Sequence, residues 1–181
     1  MTTTPHDLLT FWHQAGYERW FARDDAFDAR CCDFLDTHHA AARRELEHWT
    51  DTADGALALC LLLDQIPRNA FRNSGHAFAT DSLARHYAAR AIERGDDLVV
   101  EPLLRPFFYM PFEHSEAMPD QERSIALAST LEGESGSNYL DYARRHRDVI
   151  ARFGRFPHRN AALGRGNTPE EQAYLDAGGG F

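Results

Sequence analysis

The chain contains no lysine; all 19 of its basic residues are arginine. That absence excludes Schiff-base chemistry, lysine general bases and the lysine of a phosphate-binding loop together. Cysteine is scarce as well: Cys31 and Cys32 are adjacent, Cys60 sits in an apolar run, and no CxxC pair occurs. Such residues read as small buried hydrophobes and do not make a zinc site. No apolar run approaches the roughly 20 residues that a membrane span needs. The opening MTTTPHDLLTFW lacks the basic segment, apolar core and cleavage site of a signal peptide. A cytoplasmic protein with no membrane partner is therefore expected. Also missing are a GxSxG elbow, a glycine-rich phosphate loop after a strand and a dinucleotide fingerprint. The standard hydrolase, kinase and dehydrogenase readings lose their usual support, and no cofactor is expected. Strand signals are almost absent, with only Leu98-Val99-Val100 hinting at one.

What is present reads as helix. At 181 residues, 43% hydrophobic and 26% charged, the chain suits one soluble domain, 1–181, with a full core. Its axis is Leu57–Arg72, LALCLLLDQIPRNAFR, which is apolar on every side up to Leu63 and then turns abruptly polar. A helix apolar all round is surrounded by neighbours, and polar groups at its end need a pocket, an ion-pair network or a wet cleft. Thr4-Pro5 opens a first helix that Gly16 closes, and Asp24-Asp25 open a second. A third runs from about Thr37 to Trp49, and Asp51 or Asp54 caps the central helix. Thr80 or Asp81 caps the next, closed by Gly95. Prolines 102, 106 and 111 break up 97–112, helix returns at about 119–132, and GESGS reads as a loop. From Asn138 to Phe153, Tyr139, Tyr142, Ala143, His146, Val149, Ile150 and Phe153 fall on one helical face. Thr168-Pro169-Glu170-Glu171 is a capping box before a last helix, and 177–181 is a frayed tail. The expectation is all-α, with about eight helices, many in antiparallel pairs.

LALCLLLDQIPRNAFR (57–72), FATD (78–81), RPFFYMPFEHSE (105–116), Asp120-Gln121 and RFGRFPHRNAALGRGNTPEE (152–171), read together, resemble the bacterial domain-of-unknown-function family numbered 924. Trp20-Phe21 with Asp24 and Phe27 fits the same pattern. The resemblance covers nearly the whole chain. It implies an all-α fold akin to tetratricopeptide repeats, with packed helical hairpins. It implies no activity and carries over no catalytic residue.

The net charge of −9 disfavours a nucleic-acid partner. The charge is nevertheless uneven: seven arginines and only one acid, Asp148, lie between Arg144 and Arg165, the one stretch that would draw an anion. Three constellations compete for a role. Asp64, Arg68 and Arg72 at the end of the central helix are either an ion-pair tie or, with Asn69, the lining of a cleft for carboxylate or phosphate. Glu113, His114 and Glu116 offer a general base oriented by a carboxylate, although their spacing matches no metal motif and Ser115 suits a helix N-cap. Arg155, His158, Arg159 and Asn160 form the strongest candidate anion site, with arginines bonded to loop carbonyls as the structural alternative. His146 reads as a core histidine. A zinc or iron site from His114, His146 and His158 with a carboxylate ranks below these, and no residue is assigned to a metal. The favoured function is a binding module in which Asp64, Arg68, Asn69, Arg155, His158, Arg159 and Asn160 hold a small anion or an acidic peptide. A metal-assisted or His/Glu acid–base, hydrolase-like enzyme and a plain helical interaction scaffold are the alternatives.

Overall fold

The structure, a computed structural model, describes residues 3–181. Among them are helices, turns and loops but no strand, so the fold is all-α. None of these helices is long and apolar enough to cross a membrane. The chain divides into two compact units, one made of the chain up to Arg72 with His76–Pro111, the other of Asn73–Gly75 with Phe112–Phe181.

In the first unit, α1 (Pro5–Phe21) starts at a capping box in which the Thr4 side chain accepts from the Asp7 amide. Gly16, with φ 76°, kinks this helix where an end was expected. Helical structure resumes to Phe21, and Trp20 donates from Nε1 to the Trp12 carbonyl at 2.8 Å. Asp24 caps α2 (Asp25–Cys31) through the amides of Ala26 and Phe27. The polar third helix is shorter than its pattern suggests, α3 being Leu35–Ala42. Thr52, between the two aspartates expected to do so, caps α4 (Ala53–Cys60). From Leu57 to Leu63 no residue is more than 1% exposed.

The central helix stays helical through Pro67 by widening. Leu61–Gln65 form a π turn that leads into α5 (Ile66–Ala70). Pro67 has no N–H, and its ring crowds the carbonyl one turn back, so a straight α ladder fails here. Pro67 has no N–H to offer either carbonyl within its reach, Leu63 four residues back or Leu62 five back. Both are buried, and a buried carbonyl without a partner is costly. The Thr80 hydroxyl donates to Leu63 at 2.6 Å and His38 Nδ1 to Leu62 at 2.8 Å. Thr80 therefore serves the central helix from the N-terminus of α6 (Asp81–Arg94), without a side-chain cap bond of its own there. Gly95, in the left-handed region, ends α6, and short turns fill the proline-broken stretch as far as α7 (Met110–Glu113).

In the second unit a short connection joins α8 (Met118–Ala128) to α9 (Gly133–Phe153), which makes the two an antiparallel hairpin. The GESGS stretch expected as a loop is the first turn of α9. Tyr139, Ala143, His146, Val149 and Ile150 face inward. Val149 and Ile150 join Phe156 in a core that Met118, Phe153 and Tyr174 flank. Gly154 caps α9, a tight turn spans Pro157–Arg159, and the Thr168/Glu171 capping box opens α10 (Pro169–Asp176). Gly178 has φ 82° and donates to the Leu175 carbonyl, while Gly179 donates to Tyr174, both at 2.9 Å. This pair of bonds is a Schellman closure. It gives the final glycines, expected to fray, a set direction.

Candidate functional site

Arg68, Arg72 and Arg155, three of the arginines considered for an anion, are engaged by the protein's own carboxylates. In the first unit Arg68 forks onto both oxygens of Asp81 at 2.8 and 2.9 Å, and its Nη1 also reaches Asp64 Oδ1 at 3.1 Å. Asp64 is 1% exposed and also accepts from Gln65 at 2.6 Å. Asn69 bonds the Gln65 carbonyl and accepts from Arg72, which itself forks onto Asp28. This constellation holds the end of the central helix to α2 and α6.

In the second unit Arg155 grips both oxygens of Glu171 at 2.6 and 2.8 Å. The Arg155 side chain, followed by the Thr168 amide, holds the Glu171 carboxyl down to about 2. Asn160 is fully buried and bonds Asn167. Arg165 forks onto Glu116 at 2.8 and 2.9 Å, and the Phe156 amide adds a third donor at 2.8 Å. Burial pushes the Glu116 carboxyl up, but the Arg165 bonds, the Phe156 amide and the charges of Arg165 and Arg159 outweigh it and set it below its usual value. Three donors thus hold Glu116 as an anion. Ser115 does not cap α8, whose N-cap is Ala117; its hydroxyl bonds Asp120 at 2.6 Å and accepts from the Ala117 amide.

The segment before Glu116 is clamped by its carbonyls. Gln121, fully buried, donates from Nε2 to the carbonyls of Glu113 and Ser115, both at 2.6 Å. Arg159 donates to the His114 carbonyl at 2.9 Å, its guanidinium lying 4.4 Å from the centre of the Phe156 ring. The backbone of residues 113–115 therefore has little freedom, and its side chains project from a rigid support.

Those side chains meet His146 of α9. Glu113, His114 and His146 each present a donor atom within 4.8 Å of the other two. Glu113 and His146 are 9% and 5% exposed. His146 Nδ1 bonds the Tyr142 carbonyl at 2.9 Å and lies 3.4 Å from Glu113 Oε1. A carbonyl only accepts, so Nδ1 carries the proton and Nε2 keeps a lone pair. Burial, and next the charge of His114, hold His146 well below its ordinary pKa, so its ring is neutral at pH 7. Two imidazoles and a carboxylate form a donor set suited to zinc, iron or manganese, and three protein ligands leave coordination positions open. The bond at Nδ1 is the kind of outer-sphere contact that orients a metal-binding histidine.

The meeting replaces His158, the third histidine considered from sequence, with Glu113. His158 lies instead with its ring 5.5 Å from Phe156 and 5.8 Å from Phe181. Helical spacing had placed His146 on the buried face of α9 but could not reveal what it faced. Gln121 had no assigned role, and no local signal marks Phe181, whose ring stacks on His146 at 3.6 Å.

A family model described as a bacterial protein of unknown function (DUF924) matches residues 8–179. A solved structure described as "Structure of Protein of Unknown Function ATU0120 from Agrobacterium tumefaciens" is similar, with 50% identity and a TM-score of 0.90 over 96% of this chain and 97% of that one. No curated protein matches the chain.

Proposed function

The chain belongs to the bacterial family of unknown function DUF924, and from that premise we propose that it binds a divalent transition-metal ion through Glu113, His114 and His146. The observation that carries this reading is the convergence of those three donors on a clamped backbone. A neutral histidine, a second imidazole and a buried carboxylate supply lone pairs and one negative charge, which offset the desolvation of a dication. An ion held by three protein ligands has room for water or a substrate oxygen. It can polarise that oxygen or lower the pKa of the water, which is the chemistry of metal-assisted hydrolysis. The anion-cleft reading ranks second, because Arg68, Arg155 and Arg165 each already fork onto a carboxylate. A ligand there would have to displace an internal partner.

The test is metal titration of chelator-treated, tag-free protein, with Co²⁺ read by visible absorption and Zn²⁺ by calorimetry. One equivalent should bind in the wild type and be lost in His114→Gln and Glu113→Gln. His114 is only half-buried, so its variant keeps the fold in place even if the Glu113 variant does not. Equal binding by wild type and His114→Gln would refute the assignment, as would an absence of stoichiometric binding.

A further inference from the structure

Phe181 occupies a slot made of rings. Its face lies parallel to His146, with centroids 3.6 Å apart and planes 11° apart. Phe156 meets it edge-on at 6.2 Å and 89°, and His158 does so at 5.8 Å and 81°. Phe156 and His146 are themselves perpendicular at 5.6 Å and 78°. One face and two edges of the slot are thus permanent parts of the second unit. The occupant is less enclosed, because Phe181 is 51% exposed, and stacked and perpendicular rings flank its side chain.

The path to the slot is specifically built. The Schellman closure at Gly178 sends the chain back over α10. Gly179 passes so close to the Tyr174 ring that a Cβ there would overlap it. Gly180 has φ 137°, and a Cβ on it would come within 3.3 Å of His158. Three glycines give the segment the freedom to deliver Phe181 and also to release it.

The slot borders the candidate metal ligands, since His146 is both a donor and the slot's floor. The Arg159 guanidinium rests on the other wall, Phe156, and the His158 imidazole is an edge. A molecule seated here would present a planar ring to His146 and Phe156 and a negative group to Arg159 and any bound metal.

We propose that this slot is a subsite for the ring of a small aromatic carboxylate, and that Phe181 is a built-in plug that a ligand displaces. The slot stands on geometry alone. Only the pairing of the carboxylate with a metal ion rests on the metal-binding reading.

Benzoate is the probe, with cyclohexanecarboxylate as a non-planar control of equal charge and acetate as a ringless one. Affinities are measured by calorimetry on the full chain, both metal-free and zinc-loaded. Removing the plug by Phe181→Ala should tighten benzoate binding about five- to tenfold in metal-free protein, the scale of one aromatic stacking contact. Gly179→Ala, whose Cβ would overlap the Tyr174 ring beside the tail while Phe181 is retained, should give the same direction of change. Cyclohexanecarboxylate should gain much less, and benzoate bound to Phe181→Ala should shift the His146 imidazole protons upfield in NMR spectra. Unchanged benzoate affinity in Phe181→Ala overturns the proposal, and so does an equal gain for cyclohexanecarboxylate. Zinc loading separates the two readings. If zinc strengthens neither benzoate nor acetate while Phe181→Ala still favours benzoate, the metal assignment fails and the slot stands.

Discussion

Replacing Glu116 by alanine removes a carboxylate on which three donors converge. Two come from Arg165, at 2.8 and 2.9 Å, and the third is the amide of Phe156, a residue with no exposed surface. The variant strands a guanidinium and a buried N–H. A hydrogen bond to a charged group contributes about 1.5–3 kcal/mol, and a buried unsatisfied amide costs about 1–3 kcal/mol. The Arg165 and Glu116 side chains are 24% and 30% exposed, so water screens part of this. A net loss of about 2–4 kcal/mol remains, which lowers the melting temperature of a chain this size by roughly 5–15 °C. Urea unfolding followed by circular dichroism at 222 nm measures it. Glu116→Gln retains an oxygen for the Phe156 amide and should lose about half as much. In Glu116→Ala with Arg165→Met the losses should fall short of additive by about 1–3 kcal/mol, because both changes delete one pair. If Glu116→Ala unfolds within about 0.5 kcal/mol of wild type, the carboxylate is not structural.

Two more consequences rest on the same kind of contact. Thr80→Val keeps the shape but deletes the donor to the Leu63 carbonyl, and should cost about 1–2 kcal/mol in the same urea assay; an unchanged midpoint would show that Pro67 leaves no carbonyl in need. The Glu171 carboxyl lies at about 2 in the folded protein against an ordinary 4.5. A depressed carboxyl stabilises the fold above its unfolded value, and that stability disappears as pH falls from 4.5 to about 2. Arg155→Ala should therefore move the acid-unfolding midpoint to higher pH, and an unshifted midpoint would disconnect Arg155 from Glu171.

Read from the chain alone, the all-α class, the buried axis at Leu57–Leu63, the caps at Thr4 and Thr168 and the stops at Gly95 and Gly154 were all legible. Each depends on residues within a turn or two of one another, where periodicity and cap chemistry act. The Asp64–Arg68 contact was legible for the same reason, being one helical turn long. The kink at Gly16 and the π turn before Pro67 were not, because packing around a breaker decides whether a helix stops or bends. Charge pairing was hidden more deeply. Between Arg144 and Arg165 the sequence shows an unbalanced positive stretch, yet Arg165 takes Glu116 from 49 residues away and Arg155 takes Glu171 from 16. Coulomb attraction has no sequence period, so only the folded backbone selects the partner. The meeting of Glu113 and His114 with His146, and of Phe181 with all three rings around it, is likewise a property of how α9 lies against the clamped segment. Local sequence placed each of these residues on its own element, and tertiary packing alone turned their side chains toward one point.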